Sequence, residues 1–377
     1  MSFTERKRML NQKNLIFTKG KKQIKKHSGS NRDQIVLTTR ARIARNLSGY
    51  KLSGINSDAE KKEILNTVRS SFFTDKKSAG FDFYSVRKLS KIQRNFLVEK
   101  HILSPEMTFR LASKGLILKF NVENFNQSLS LLLNEEDHLR IQNVMPGLNI
   151  RKAYQEVLGI EKMLEKHLKF AYDRDFGYIT SCPSNLGTAV RISVMVHIPS
   201  IIISGKIEEF IKKLNNIGCS IRGFFGENSE IVGNILQIAN QASLGRYEQQ
   251  IIDDMEAVCL NIIDEEKEAL QAIKKNIPLI VEDSVLRSYG MLKHAKILSY
   301  YEAIELLSML SMGIDLGLTG DDIRPFNFYD LISILGDSSI ILNENMDLEP
   351  ESDEIDKIRM DILRRELTAD HGKNKGS

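Results

Sequence analysis

The feature that most limits how this chain can fold is a change of rhythm near residue 250. Before it, short apolar runs recur: "IVLTTRARIARN", "GLILKF", "SLSLLL", "GYITS", "VRISVMVHI" and "SIRGFF". Runs of this length bounded by turn residues read as strands, and "GLILKF" with "SLSLLL" reads as a strand pair joined by a short connection. Between the runs, 151–172 and 206–217 have helical spacing, with Gly218 as a helix stop. Strand pairs of this kind predict an α+β fold, a largely antiparallel sheet flanked by helices that pack on one face. Beyond Gly245 strand signals become scarce. "YEQQIIDDMEAVCLNIIDEEKEALQAIKKN" carries Ile251, Ile252, Met255, Val258, Cys259 and Ile262 on one helical stripe, and two further helical patterns follow. The expected organisation is a basic arm over 1–27, a sheet domain over 28–250, an all-helical domain over 251–368 and a disordered tail over 369–377.

Hydrophobic residues make up 42% of the 377 and charged ones 27%, a globular composition rather than a disordered one. No stretch approaches the roughly 18 apolar residues of a membrane span, and the N-terminus lacks a secretory apolar core, so the expected setting is cytoplasmic, away from membranes. Cys182, Cys219 and Cys259 are odd in number and have no CxxC spacing, which argues against a disulfide framework or a zinc site. Residues 1–27 hold nine Lys/Arg against Glu5, a net +8 that leaves the rest of the chain at −4. No helix-turn-helix, zinc or RNP pattern accompanies this arm, so a nucleic-acid partner is not expected and the arm reads as a solvated tail.

Chemistry concentrates in a few segments. Arg40 and Arg42 in "LTTRARI", Arg140 after "NEEDH", Arg191 in "TAVRISV" and Arg222 in "SIRGF" interrupt otherwise apolar strand sequence. Burying a guanidinium is costly unless it meets an anion, and several converging from separate strands suit a polyphosphate. Each taken alone could equally be a salt-bridged surface residue. In "NEEDHLR" a strand runs into Glu135, Glu136, Asp137 and His138, which as a charge run could be an acidic turn or the floor of a site. Cys182 opens "CPSNLGTAVR" at a strand end, with Ser184 two residues on to hydrogen-bond a thiolate; an unpaired cysteine is also a common small core residue. No Walker A loop and no protein-kinase HRD or DFG motif is present.

"TTRARIARN", "NEEDHLR", "CPSNLGTAVR" and "RGFFGE", in this order, resemble the signature segments of the ATP:guanido phosphotransferase family over roughly residues 32–250, and within it the bacterial protein-arginine kinase branch. Absence of a helical domain ahead of the first arginine motif, Met195 in place of a histidine, and "GIDLGL" point to that branch. The resemblance implies a kinase that moves the γ-phosphoryl group of ATP, with Mg²⁺, onto arginine side chains of client proteins, marking them for proteolysis or stress regulation. It implies that Thr38, Arg40, Arg42, His101, Arg140, Arg191 and Arg222 contact the nucleotide. It further implies that Glu136 and Glu227 grip the guanidinium, that Cys182 stands beside it, and that no protein-held metal is required. The partners implied are a zinc-containing activator protein and a Clp-type protease, and the assembly a homodimer formed by the helical domain.

Departures from the family pattern are Thr38 and Thr39 for serines, Phe225 for an arginine, and Ile355 in "IDKIR" where the branch has the first arginine of a phosphoarginine-binding pair completed by Arg359. Two other readings are a kinase for free arginine or another small guanidine, and an inactive adaptor that binds proteins or phosphoarginine.

Overall fold

The computed structural model describes residues 35–120, 127–224, 230–319, 323–344, 346 and 350–368. The basic arm and the C-terminal tail expected from the sequence lie outside them. Ten strands are present among the described residues: β1 (Val36–Arg45), β2 (Asp82–Ser85), β3 (Gly115–Phe120), β4 (Ser128–Leu133), β5 (Leu139–Pro146), β6 (Tyr172–Asp173), β7 (Gly177–Tyr178), β8 (Val190–His197), β9 (Cys219–Gly223) and β10 (Ile235–Asn240). Eight form one sheet in the order β2-β3-β4-β5-β1-β8-β10-β9, with every neighbouring pair antiparallel. β6 and β7 make a separate small hairpin.

Eleven helices of the α type accompany them among the described residues. They are α1 (Asp58–Thr74), α2 (Lys91–Glu99), α3 (Ile150–Glu165), α4 (Pro199–Ile203), α5 (Ile207–Asn216), α6 (Glu248–Lys275), α7 (Leu279–His294), α8 (Tyr300–Leu316), α9 (Phe328–Ile334), α10 (Asp337–Asn343) and α11 (Ser352–Leu367). Local chemistry sets their starts. Ser57 and Ser90 form capping boxes with Glu60 and Gln93 at α1 and α2, and the Ser299 hydroxyl accepts from the Glu302 N–H at α8. α3 ends at Glu165, short of the sequence expectation, because the following segment enters a bridge between Leu47 and Phe170 and then the β6–β7 hairpin.

Alternation along the strands divides the sheet into two unlike faces. On one, Ala41, Ile43, Ile141, Ile192, Val194 and Ile238 are buried under α1, α3, α5 and α6 in the main core. The long helix α6 lies within this core, contributing Ile251, Met255, Val258 and Ile262, so the helices that pack in their own cluster begin at α7. The opposite face is not left bare, as a one-sided arrangement requires. Leu116, Leu118 and Leu132 are covered there by Phe96 and Leu97 of α2. Leu37, Met195 and Ile235 are covered by α8, α9 and α11 through Ile304, Leu307, Phe328 and Leu363. His197 reaches across to stack on Phe328 at 4.2 Å between ring centroids and to hydrogen-bond Ser308 at 2.7 Å. Between these two covers the middle of the face stays open as a cleft.

Candidate active site

Register places the strand arginines together. Arg42 stands opposite Arg191 on one side and Gln142 on the other, Arg40 opposite Ser193, Ala44 opposite Arg140, and Arg222 opposite Gln237. Directly paired residues share a face, so five arginines from β1, β5, β8 and β9 point to the same side, and all five line a cleft of ≈ 770 Å³. His101, Glu135, Glu136, Cys182, Ser184, Asn185, Phe224 and Tyr300 line it as well.

The floor of the cleft is an excess of half-buried positive charge. Arg40 donates through Nε to the hydroxyl of Ser193 at 3.3 Å, and Arg191 donates to the hydroxyl of Ser220 at 2.9 Å. Burial first, and then Arg140, Arg191 and Arg222, push the Arg40 guanidinium down from its usual range to about 9. Burial, then Arg40, Arg140 and Arg191, hold Arg42 well below that range, with Glu135 opposing. Like charges in a desolvated site are tolerated when an anion is meant to join them. Arg140 has a nearby counter-charge in Glu135, at 2.6 Å.

At one end of this floor the loop after β4 assigns its acidic residues different tasks. Asp137 is buried and its carboxylate accepts from Asn46 Nδ2 and from the backbone N–H of Ser181, both at 2.7 Å, which ties the acidic loop to the segment carrying Cys182. His138 accepts the Leu47 N–H at Nδ1 (3.0 Å), so the proton sits on Nε2, which donates to the Lys51 carbonyl (2.9 Å); burial lowers its pKa first of all. Both residues are consumed by structure. Glu136 is the exposed one, with Asn185 Nδ2 at 3.4 Å and the Cys182 thiol within hydrogen-bonding reach. Partial burial, then the neighbouring Asp137 and Glu135 carboxylates, raise its pKa above the ordinary carboxylate value. Cys182 Sγ lies 3.0 Å from the Ser184 hydroxyl, at the start of the short turn Pro183–Asn185.

His101 occupies the other end in a left-handed backbone conformation, φ 54°. Its ring packs edge-on against Phe224 at 5.6 Å, and its Nε2 is buried with no hydrogen-bond partner among the described residues. Burial, then Arg40 and Lys100, lower its pKa to about 3, so the ring is neutral. Thr38 shares the arginine face but sits outside the cleft lining, buried with its hydroxyl against Tyr329. Glu227 and Phe225 lie outside the described residues. Gln237 and Tyr300 join the site without any sequence signal, because only the packing of distant segments brings them to it, whereas Asn185 and Phe224 stand close to Cys182 and Arg222 within the signature segments.

Among the described residues no group of three His, Cys, Asp or Glu could hold a metal ion. A divalent cation held beside an anionic ligand needs only one or two carboxylates with waters, and Glu135 and Glu136 line the cleft.

The chain matches the family model of the ATP:guanido phosphotransferase C-terminal catalytic domain over residues 63–269, and that of the protein-arginine kinase McsB C-terminal domain over residues 278–377. It is 39% identical to a protein-arginine kinase of Bacillus cereus (strain AH187) over 285 residues, which cover 75% of this chain and 79% of the relative. It is 38% identical to one of Bacillus anthracis over the same length and the same shares. Among solved structures, lombricine kinase superposes with a TM-score of 0.55 at 23% identity, covering 67% of this chain and 72% of that one. The duplicated taurocyamine kinase from Schistosoma mansoni, with bound transition-state analog components, gives 0.57 at 25% identity, covering 71% of this chain and 39% of that one.

Proposed function

The chain belongs to the ATP:guanido phosphotransferase family, and on that footing we propose that it is a protein-arginine kinase, transferring the γ-phosphoryl group of Mg·ATP to arginine side chains of client proteins. The observation that carries this is the floor of five half-buried arginines on one face of the sheet, with Arg40 and Arg42 depressed by desolvation and then by their neighbours, running up to Glu136 and Cys182.

An arginine acceptor keeps its proton to above about pH 12 and is a poor nucleophile until it is oriented and relieved of that proton. Glu136 takes the guanidinium with Glu227 as second carboxylate and accepts the proton from the attacking nitrogen. As the N–P bond forms, the bond from the γ-phosphorus to the β,γ-bridging oxygen breaks and ADP departs with the electron pair. Negative charge on the transferring group and on ADP is met by Arg40, Arg42, Arg140, Arg191 and Arg222. When bound with the nucleotide, Mg²⁺ would supply further charge neutralisation on the phosphates. His101, neutral and with a free Nε2, takes a nucleotide hydroxyl or base nitrogen, and Thr38 supports the nucleotide site from beneath through Tyr329. Cys182 adds a polarisable group beside the guanidinium.

Marking of clients for proteolysis or stress regulation, a zinc-containing activator, a Clp-type protease, a homodimer through the helical domain and a cytoplasmic setting follow from the resemblance. Glu136→Gln is the direct test of the chemistry. It should bind Mg·ATP as the natural chain does and lose acid-labile phosphate transfer to an arginine-rich protein by about 10³-fold; retained transfer sinks the assignment.

A further inference from the structure

Part of the cleft wall comes from outside the matched catalytic domain. Tyr300, the first residue of α8, lines the cleft with the sheet residues, although that match ends at residue 269. The lining mixes charged residues, Glu99, Glu106 and Lys114 among them, with the apolar and aromatic Val98, His101, Leu103, Phe224 and Tyr300. An arginine floor occupied by a triphosphate leaves the flat base of the nucleotide to be held by these latter residues, and the aromatic rings among them are His101, Phe224 and Tyr300.

Tyr300 is fixed for such a task. Its hydroxyl donates to the Ile332 carbonyl at 3.3 Å, and the guanidinium carbon of Arg359 lies 5.9 Å from its ring centroid. Arg359 is itself buried, hydrogen-bonded to the carbonyls of Leu335 and Leu298 at 2.8 and 2.6 Å and paired with Asp356 and Asp337. The unit carrying Tyr300 is clamped to the segment just before His101. The Glu99 carboxylate accepts from the backbone N–H groups of Ser338 and Ser339 at 2.8 and 3.0 Å, and the Lys100 ammonium donates to the Ser333 carbonyl. Residues 99 and 100 thus hold the helical unit, and residue 101 meets the cleft.

We propose that Tyr300 is a nucleotide-contacting residue that the helical domain contributes to the active site, stacking on the purine base of ATP across from the His101–Phe224 pair. Tight nucleotide binding then requires the helical domain to be seated by Glu99 and Lys100. The proposal rests on the reading of the cleft as an ATP site and is independent of which guanidino group accepts the phosphate.

Calorimetric titration of the full chain, without acceptor, separates the possibilities. Aromatic stacking on a base is worth enough that Tyr300→Ala should weaken Mg·ATP about tenfold. Mg·tripolyphosphate, which has no base, should bind the variant and the natural chain alike, and Tyr300→Phe should bind ATP within about twofold of the natural chain. In turnover, Tyr300→Ala should raise KM for ATP by the same factor with kcat little changed. Equal weakening of ATP and tripolyphosphate overturns the proposal in favour of a structural role, and so does an unchanged ATP affinity. A natural chain that binds neither ligand overturns the nucleotide reading itself, a different outcome from either.

Discussion

This molecule takes arginine out of water in its structural core and in its cleft, and it does so on opposite terms. Arg45 at the end of β1 is paired with Glu161 of α3, lies over the Tyr178 ring at 3.3 Å and donates to the carbonyls of Ala44 and Thr188. Arg359 in α11 is likewise saturated by Asp356, Asp337 and two carbonyls. Arg40 and Arg42, three to five residues before Arg45 on the same strand, have no ion pair among the described residues, and desolvation first and then the cations around them push their pKa down. A structural arginine brings its anion with it, whereas a substrate-binding one waits for the ligand to supply it.

That contrast can be broken by substitution. Arg42→Met should cut phosphoryl transfer by about 10³-fold or more, the scale on which arginines act in phosphoryl transfer, while leaving thermal stability equal or raised, because a half-buried charge with no ion-pair partner is removed. Arg45→Met should do the reverse. It strands Glu161, which is 5% exposed on its side chain, and should cost about 3–5 kcal/mol in denaturant unfolding with ATP affinity little changed in the folded fraction. If both substitutions damage stability alike, the distinction fails. Saturating Mg·ATP at about 100 times its Kd should add roughly 2.7 kcal/mol to the unfolding free energy of the natural chain and almost none to Arg42→Met, measurable by thermal shift.

Acid should separate the carboxylates too. Glu136 must be ionised to accept a proton, and its pKa is raised by burial and by Asp137 and Glu135. Activity should therefore fall on the acid side through a limb lying above the ordinary carboxylate value of 4.5, and kcat/KM against pH reads it. A limb at or below that value contradicts the assignment. The smallest effect is expected at Arg359. With Ile355 where the branch has an arginine, and with Arg359 already enclosed, free phosphoarginine should leave the melting temperature unchanged. A clear upward shift lost in Arg359→Lys refutes this.

The sequence made the arginines legible because charge inside apolar alternation has few physical explanations, and the strand period then put Arg40 and Arg42 on one side. The sheet order was not legible, since nothing local tells β1 to lie between β5 and β8. Nor was the placement of α6 in the sheet core, because an amphipathic stripe says that a face is buried without saying against what. Thr38 shows the same limit at one residue. Its side is correct by alternation, but Tyr329, nearly three hundred positions away, covers it. Tyr300 carries no local mark of a site residue and reaches the cleft only through the docking of the helical unit.

The most direct test of the central claim is incubation of the full chain with Mg·ATP, an unfolded arginine-rich polypeptide and free arginine together, followed by mass spectrometry under conditions that preserve acid-labile phosphate. The account predicts phosphate on arginine side chains of the polypeptide, abolished in Glu136→Gln and Arg42→Met. Phosphate on serine or tyrosine, or on free arginine alone, contradicts it.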